Sequence, residues 1–178
     1  MEIRIITLDT SEESFGTAFA KYKDNFLSVL SHSYEVYYGD DYQLKRIIEE
    51  HSIVFVATVD NTVVGASYIK GNLRRGGTAV YPEQYRRMGI AEKLVRESLR
   101  VIPRQYTILR VTNAKMLSLM LKVGFKKAGS PQAVEKIVQD EFFQLSDFRF
   151  SGDCLIFSRY SAKRRTDREN LTLLHTFF

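Results

Sequence analysis

The sequence predicts one α/β domain built on a mixed β-sheet, and two arrangements in the chain carry that prediction. Ile53–Val59 and Thr62–Ile69 are apolar runs joined by an Asp-Asn pair, which indicates a tight antiparallel hairpin. A short strand at Thr78–Tyr81, an amphipathic helix and a strand at Thr107–Val111 then follow in order. A strand, helix and strand at this spacing predict a right-handed parallel crossover. Antiparallel and parallel connections within one sheet make it mixed.

The other elements are predicted from periodicity and from residues that start or stop helices. The central helix has one apolar or small face, which indicates that it packs on a core; that face consists of Ala91, Leu94, Val95, Ser98, Leu99 and Ile102. The remaining predicted elements are a strand at Ile3–Leu8, a helix start near Thr10 or Ser11, a helix at about Asp41–Glu50, a helix at Ala114–Val123 capped by Gly124, a strand at Phe125–Ala128, a helix at Pro131–Gln144, and closing strands at Asp147–Phe150 and Cys154–Tyr160. Gly71–Gly77 is expected to be a loop.

Composition limits the chain to one ordinary globular domain. With 178 residues, 44% of them hydrophobic and 26% charged, it is long enough for one core and short for two. Cys154 is the single cysteine, so an internal disulfide is excluded, as is usual in reducing compartments. Glu2 and Arg4 interrupt any signal-like apolar start, and no apolar run reaches membrane-spanning length. We therefore expect a cytoplasmic protein with no membrane partner.

The last part of the chain, residues 162–178, differs in composition from the predicted domain at residues 1–161. It is basic and then apolar; its basic residues are Lys163, Arg164, Arg165 and Arg168, and its apolar residues are Leu171, Leu173, Leu174, Phe177 and Phe178. A free tail does not normally carry so many apolar side chains, so we expect this extension to pack on the domain or on a partner, and a homodimer fits that expectation. The net charge of +5 suits either nucleic acid or an anionic cofactor. Because the sequence contains no nucleic-acid-binding motif, nucleic acid is not the expected partner.

The junction between the Thr78–Tyr81 strand and the central helix has the features of an anion site. Free N–H groups and the positive end of the helix dipole attract a phosphate, and Arg86 and Arg87 add positive charge beside them. Gly89 removes the side chain at the point where a ligand must approach the backbone. The bare spacing fits an ordinary crossover with solvated arginines nearly as well.

Two motifs resemble those of the GNAT superfamily of acyl-CoA-dependent N-acetyltransferases. Val80-Tyr81-Pro82 followed by Arg86-Arg87-Met88-Gly89-Ile90-Ala91 is similar to its acyl-CoA-binding motif, Q/R-x-x-G-x-G/A after a V-x-P strand end. Asn113, followed by a helix that ends at Gly124-Phe125, resembles a second segment of the family. The resemblance covers about Ile53–Phe125. It implies a GNAT-like fold, with a central, strongly bent mixed sheet, helices on both faces, and two parallel strands that splay apart.

The resemblance also implies a function and a set of binding residues. The expected reaction is transfer of an acetyl group from acetyl-CoA to a primary amine, by direct attack in a ternary complex. The acceptor is a small molecule or a peptide. The residues expected to bind the cofactor are Ala79, Val80, Tyr81, Arg86, Arg87, Met88, Gly89, Ile90, Ala91 and Asn113, and Arg74, Arg75 or Lys115 is expected to meet the remaining phosphate.

The catalytic residues are less well defined by the resemblance. Many family members carry a tyrosine general acid seven residues after the asparagine, and here that position is Met120, which cannot donate a proton. Candidate bases are Tyr81, Glu35 and Glu83, with deprotonation through water as an alternative. The loss of the tyrosine leaves a second reading open, a catalytically silent CoA-binding or protein-interaction module. No His/Cys cluster has metal-ligand spacing, so no metal is expected.

Overall fold

An eight-stranded mixed sheet is the centre of the fold, as the computed structural model of the chain shows. The structure describes residues 2–33, 39–49, 52–71, 73–74, 78–110, 113–129 and 154–160. The strands are β1 (Ile3–Asp9), β2 (Ser52–Val59), β3 (Thr62–Lys70), β4 (Leu73–Arg74), β5 (Thr78–Val80), β6 (Arg104–Arg110), β7 (Lys126–Gly129) and β8 (Cys154–Tyr160). The helices are α1 (Phe15–Ala20), α2 (Lys23–Ser33), α3 (Asp40–Glu49), α4 (Ile90–Val101) and α5 (Ala114–Lys122).

The strand order confirms the mixed sheet. It runs β1-β2-β3-β4-β6-β8-β7, with β5 paired to β3 beside this path. Strand β4 pairs in parallel with β6, through Leu73 opposite Tyr106 and Arg74 opposite Thr107. The other pairings between described strands are antiparallel. Strands β5 and β6 are therefore parallel in direction, as the predicted crossover requires.

The β2–β3 hairpin also forms as predicted. Its turn residues, Asp60 and Asn61, have φ values of 48° and 64°, and positive φ at both positions is what a two-residue hairpin turn of type I′ requires. The register shifts between Ala57 and Thr58, so one extra residue is accommodated in β3. A bulge of this kind bends the strands and increases their twist, which contributes to the bent sheet.

Helices cover both faces of the sheet, as expected. On one face α1 and α2 pack on a cluster that contains Phe15, Phe19, Phe26, Leu30, Val54, Val56, Ala66, Tyr68 and Ala79. On the other face α4 packs on a cluster that contains Phe55, Ala57, Val59, Val64, Ile69, Ile90 and Leu94. Farther along that face, α4 and α5 share a third cluster, formed by Val95, Leu99, Leu109, Met120, Val123 and Phe125. Successive residues of a strand face opposite sides, so the strands contribute to both faces.

Two local predictions were wrong. Residues 71–77 were expected to form a loop, but Leu73–Arg74 is a short strand because it pairs with both β3 and β6. Strand β6 begins at Arg104, three residues before the expected Thr107, because Arg104 already pairs with Tyr160 of β8. The helix expected at residues 131–144, the strand expected at residues 147–150 and the extension at residues 162–178 lie outside the described residues.

The described helices are short. The longest, α4, has 12 residues, whereas about 20 apolar residues are needed to cross a bilayer. None of the helices in the described part of the chain can therefore span a membrane.

Candidate functional site

The start of α4 presents unused backbone donors. Gly89 is the N-cap residue with φ 77°, and no side chain caps the helix there. The first intrahelical bond runs from the Lys93 N–H to the Gly89 carbonyl, so the N–H groups of the first turn lack helical acceptors. Arg87 also has positive φ, 65°, and alternation of this kind turns N–H groups toward one concave side. Together with the helix dipole, this geometry favours an anion.

The two arginines at that junction, Arg86 and Arg87, differ in the contacts that their side chains make. The Arg86 guanidinium folds back on the chain, where Nη1 pairs with Glu83 Oε1 at 2.5 Å and Nε lies 3.4 Å from the Val80 carbonyl oxygen. Arg87 is exposed, and its side chain makes no hydrogen bond or ion pair within the described residues. Arg87 is therefore the cation of the pair that can turn toward a phosphate without breaking an existing contact.

Glu92 is the acidic residue in the first turn of α4, and two cations hold its carboxylate. Lys122 of α5 lies 2.6 Å from Oε2, and Arg96 lies 2.9 Å from Oε1. The hydrogen bonds from Lys122 and then from Arg96 lower the pKa of Glu92. Its negative charge is thus balanced locally, and the Lys122 contact links α4 to α5.

Strand β5 borders a gap in the sheet. The Tyr81 N–H donates to the Val64 carbonyl at 3.1 Å, and Val80 lies opposite Gly65. Because hydrogen bonds alternate along an antiparallel pair, the Val80 N–H points away from β3. Among the described strands β5 pairs with β3, whereas β6 pairs with β4 and β8. The parallel strands are thus joined at β4 and not at β5, which is the arrangement expected of splayed strands.

Asn113 occupies the start of α5, where its predicted capping role is confirmed. Its Oδ1 accepts a hydrogen bond from the Met116 N–H at 3.2 Å. At the other end, Gly124 has φ 92°, and the Phe125 N–H bonds to the Met120 carbonyl at 2.9 Å. This 6→1 bond is that of a Schellman C-cap, in which a glycine with positive φ ends the helix. Lys115, a candidate phosphate partner, is exposed in the first turn of α5.

Met120, which stands at the family's tyrosine position, belongs to the core. Its side chain is fully buried among the residues shared by α4, α5 and β6. It packs beside Phe125, which follows the C-cap. The side chain at this position therefore contributes to packing, and it supplies no proton donor to the site.

The candidate bases are placed differently from one another. Tyr81 directly follows β5, and its partly buried ring stacks on His32 of α2 with centroids 4.1 Å apart and planes inclined by 17°. Glu83 is exposed and paired with Arg86. Glu35 and Arg75 lie outside the described residues. Reasoning from the sequence missed His32, since nothing in its local pattern indicates that α2 brings it to the end of β5.

Arg74 is not at the surface, which corrects its proposed role as a phosphate partner. The side chain is buried, and its guanidinium donates to the hydroxyl groups of Ser67, Thr78 and Ser98 and to the Gln105 side-chain oxygen. These four partners belong to β3, β5, α4 and β6. Arg74 therefore ties these elements together where the parallel strands begin to separate. In the sequence, the one indication of a buried polar partner for Arg74 was Ser98, which places a hydroxyl on the otherwise apolar face of α4.

Metal-ligating residues do not gather in the described part of the chain. No group of three or more His, Cys, Asp or Glu side chains there is close enough to hold an ion.

The architecture of this chain is similar to that of known proteins at the level of fold. No protein-family model matches the chain, and no curated protein sequence matches it. Solved structures do match its fold. The ribosomal-protein-S18-alanine N-acetyltransferase from Escherichia coli is similar with a TM-score of 0.61 at 14% identity, over 92% of this chain and 98% of that one. A GNAT-family acetyltransferase from Bacillus cereus gives a TM-score of 0.61 at 15% identity, over 92% of this chain and 100% of that one.

A third similar structure holds the expected acyl donor. The GNAT-family acetyltransferase from Elizabethkingia anophelis, solved with acetyl-CoA bound, gives a TM-score of 0.55 at 9% identity, over 89% of this chain and 98% of that one. At such low identities these likenesses establish the fold. The chain therefore has the fold of these GNAT-family acetyltransferases.

Proposed function

We propose that the chain transfers an acetyl group from acetyl-CoA to a primary amine by direct attack in a ternary complex. The observation that carries the proposal is the uncapped start of α4, where Gly89 has positive φ and Arg87 has no competing contact within the described residues. These residues fit a diphosphate, because a phosphate supplies the acceptors that the first turn of the helix lacks. The fold, shared with an acetyl-CoA-bound acetyltransferase, supports the same conclusion.

The residues of the chain have separate roles in this proposal. Backbone N–H groups from Met88 to Ala91, with Arg87, hold the diphosphate. The Val80 N–H, which points away from β3, meets the acyl-pantetheine arm in the gap beside β5 and polarises the thioester carbonyl. Asn113, at the start of α5, supports the same arm in this proposal. Since Met120 donates no proton, the sulfur leaves as the thiolate, which is feasible because a thiol has an ordinary pKa near 8.5.

A first experiment tests the phosphate cradle, by which we mean Arg87 and the backbone N–H groups from Met88 to Ala91. It is a calorimetric titration with acetyl-CoA. Arg87→Glu is compared with Lys21→Glu, which makes the same change of charge at an exposed position between α1 and α2. A hydrogen bond to a charged group is worth about 1.5–3 kcal/mol, so Arg87→Glu should weaken binding by about 10- to 100-fold. Lys21→Glu should leave binding near that of the wild type. Equal effects of the two variants would remove Arg87 from the site.

A matched pair of glycine variants tests the backbone part of the cradle. Gly89→Ala and Gly71→Ala both place a side chain at a positive φ, 77° and 51°, where nothing else lies within 4 Å of the added carbon. Both should therefore lose stability through the same backbone strain. Gly89→Ala alone should lose acetyl-CoA affinity, because its methyl group lies where the phosphates approach. Failure of the wild type to bind acetyl-CoA would leave the resemblance as one of fold alone.

A second candidate function is binding of acyl-CoA without transfer, and the buried Met120 favours it. The two are separated by supplying acetyl-CoA with three amines: spermidine, a short peptide that begins with alanine, and Nα-acetyl-lysine amide. These represent the small-molecule, peptide N-terminal and lysine side-chain acceptors. The alanine peptide is included because one protein of the same fold is an N-acetyltransferase for an alanine. Acetylation of any of the three supports the enzyme, whereas binding with no transfer supports the silent module.

A further inference from the structure

The ring of His32 is held in one orientation at the end of α2. Its Nδ1 lies 2.8 Å from the Ser28 carbonyl oxygen, one turn earlier in the helix. A carbonyl oxygen only accepts hydrogen bonds, so Nδ1 carries the proton of the neutral ring. The other nitrogen, Nε2, then has a free lone pair. A hydrogen bond at one ring nitrogen that leaves the other as an acceptor is the arrangement of a proton-accepting histidine.

The same ring lies next to Tyr81, the residue that directly follows β5. It stacks on Tyr81 with centroids 4.1 Å apart. Ala79 and Tyr81 pack in the cluster that α1 and α2 cover (the α1–α2 cluster, which contains Phe26). Val80 instead packs against the cluster on the other face, which α4 covers and which contains Phe55 and Ile90. The imidazole therefore lies on the face of the sheet opposite the phosphate cradle. His32 is exposed to solvent. An amine can therefore approach Nε2 from outside while the acyl donor occupies the gap beside β5.

We propose that His32 is the general base of the transfer and that Tyr81 is a positioning residue that supports its ring. This proposal rests on the proposed function. The amine nitrogen forms a bond to the thioester carbonyl carbon, and Nε2 takes the proton that the nitrogen loses. The carbon–sulfur bond then breaks, and its electron pair leaves with the sulfur as the CoA thiolate. The imidazolium afterwards returns its proton to solvent.

The alternatives among the described residues fit this role less well. The Glu83 carboxylate is engaged by Arg86 at 2.5 Å and is exposed at the turn after β5. The Tyr81 side chain is partly buried against the α1–α2 cluster, with its ring face covered by the imidazole. His32 is the group with an oriented ring, an available nitrogen and exposure to an incoming amine.

Two variants of His32 test the proposal with the full chain. His32→Asn retains an amide donor for the Ser28 carbonyl but has no base, and His32→Ala leaves a space over Tyr81 that added imidazole can enter. We expect both to bind acetyl-CoA as the wild type does. Acetyl transfer to whichever of spermidine, the alanine peptide or Nα-acetyl-lysine amide reacts fastest should fall about 10²- to 10⁴-fold, the usual contribution of a general base. Imidazole should restore transfer by His32→Ala and not by His32→Asn.

The experiment with added imidazole distinguishes a general base from a residue that only packs, because free imidazole can replace the lost base but not lost packing. Wild-type rates in His32→Asn would overturn the assignment, and so would a loss of rate that imidazole does not restore in His32→Ala. If the wild type binds acetyl-CoA but acetylates none of the three amines, the base assignment fails and the cofactor site stands. If it does not bind acetyl-CoA, the proposed function itself fails. The two failures are therefore distinguishable.

Discussion

A single methyl group added at Gly65 should destabilise the fold, because α4 packs directly over that residue of β3. A Cβ at position 65 would lie 2.9 Å from Cγ2 of Ile90 and 3.0 Å from both Cβ of Ala57 and Cδ1 of Leu94. Ordinary contacts begin near 3.4 Å, so the helix and strand must separate by about 0.5 Å. All three neighbours are buried, which leaves them little space to move aside.

The expected cost of Gly65→Ala is that of overpacking a core, about 1–3 kcal/mol in the free energy of unfolding. For a chain of this size that corresponds to a fall of about 2–12 °C in the melting temperature. Because Ile90 is the first residue of α4, the displacement also reaches the cradle, and acetyl-CoA should bind more weakly. Urea denaturation and calorimetry measure the two effects on the same preparation.

The matched control is Gly16→Ala in α1, where nothing lies within 4 Å of the added carbon. Replacing a helical glycine by alanine stabilises a helix by up to about 1 kcal/mol, so this variant should be as stable as the wild type or more so. Wild-type stability of Gly65→Ala would refute the reasoning, since it would mean that α4 and β3 are not in the close contact described.

Two further predictions concern buried and exposed charge. Arg74→Met should cost about 2–4 kcal/mol of stability by urea denaturation, because it removes the buried guanidinium that donates to the side-chain oxygens of Ser67, Thr78, Ser98 and Gln105. Arg74→Lys should cost less, and equal loss in both variants would contradict this account. Lys122 and Arg96 lower the pKa of Glu92 from its ordinary value of 4.5. The ionised carboxylate therefore stabilises the fold above pH 4.5, and this stabilisation is lost as the pH falls through the lowered pKa. The difference in unfolding free energy between the wild type and Glu92→Gln should accordingly be present at pH 7 and vanish in acid, and a difference that does not change with pH would count against the Glu92–Lys122 contact.

Much of the site could be predicted because its determinants are local. The N-cap at Asn113 and the glycine after α5 act within one turn of helix, so residue type and spacing indicated both. The proposed phosphate cradle, which stays a prediction, also depends on a strand end, a glycine and the start of a helix that adjoin in sequence. By contrast, the Arg74 network joins residues 24 and 31 positions away from it, and no local pattern encodes such contacts.

The sequence by itself determined the class of fold, the hairpin and the crossover, and it predicted the place that we propose for a phosphate. These follow from periodicity and turn chemistry, which act over a few residues. Only the tertiary structure decided that Met120 is a core residue, that Arg74 is buried at the point where the strands part, and that His32 lies against Tyr81. Those facts depend on which faces of separate elements meet, and that is settled by packing of the whole core against the loss of chain entropy.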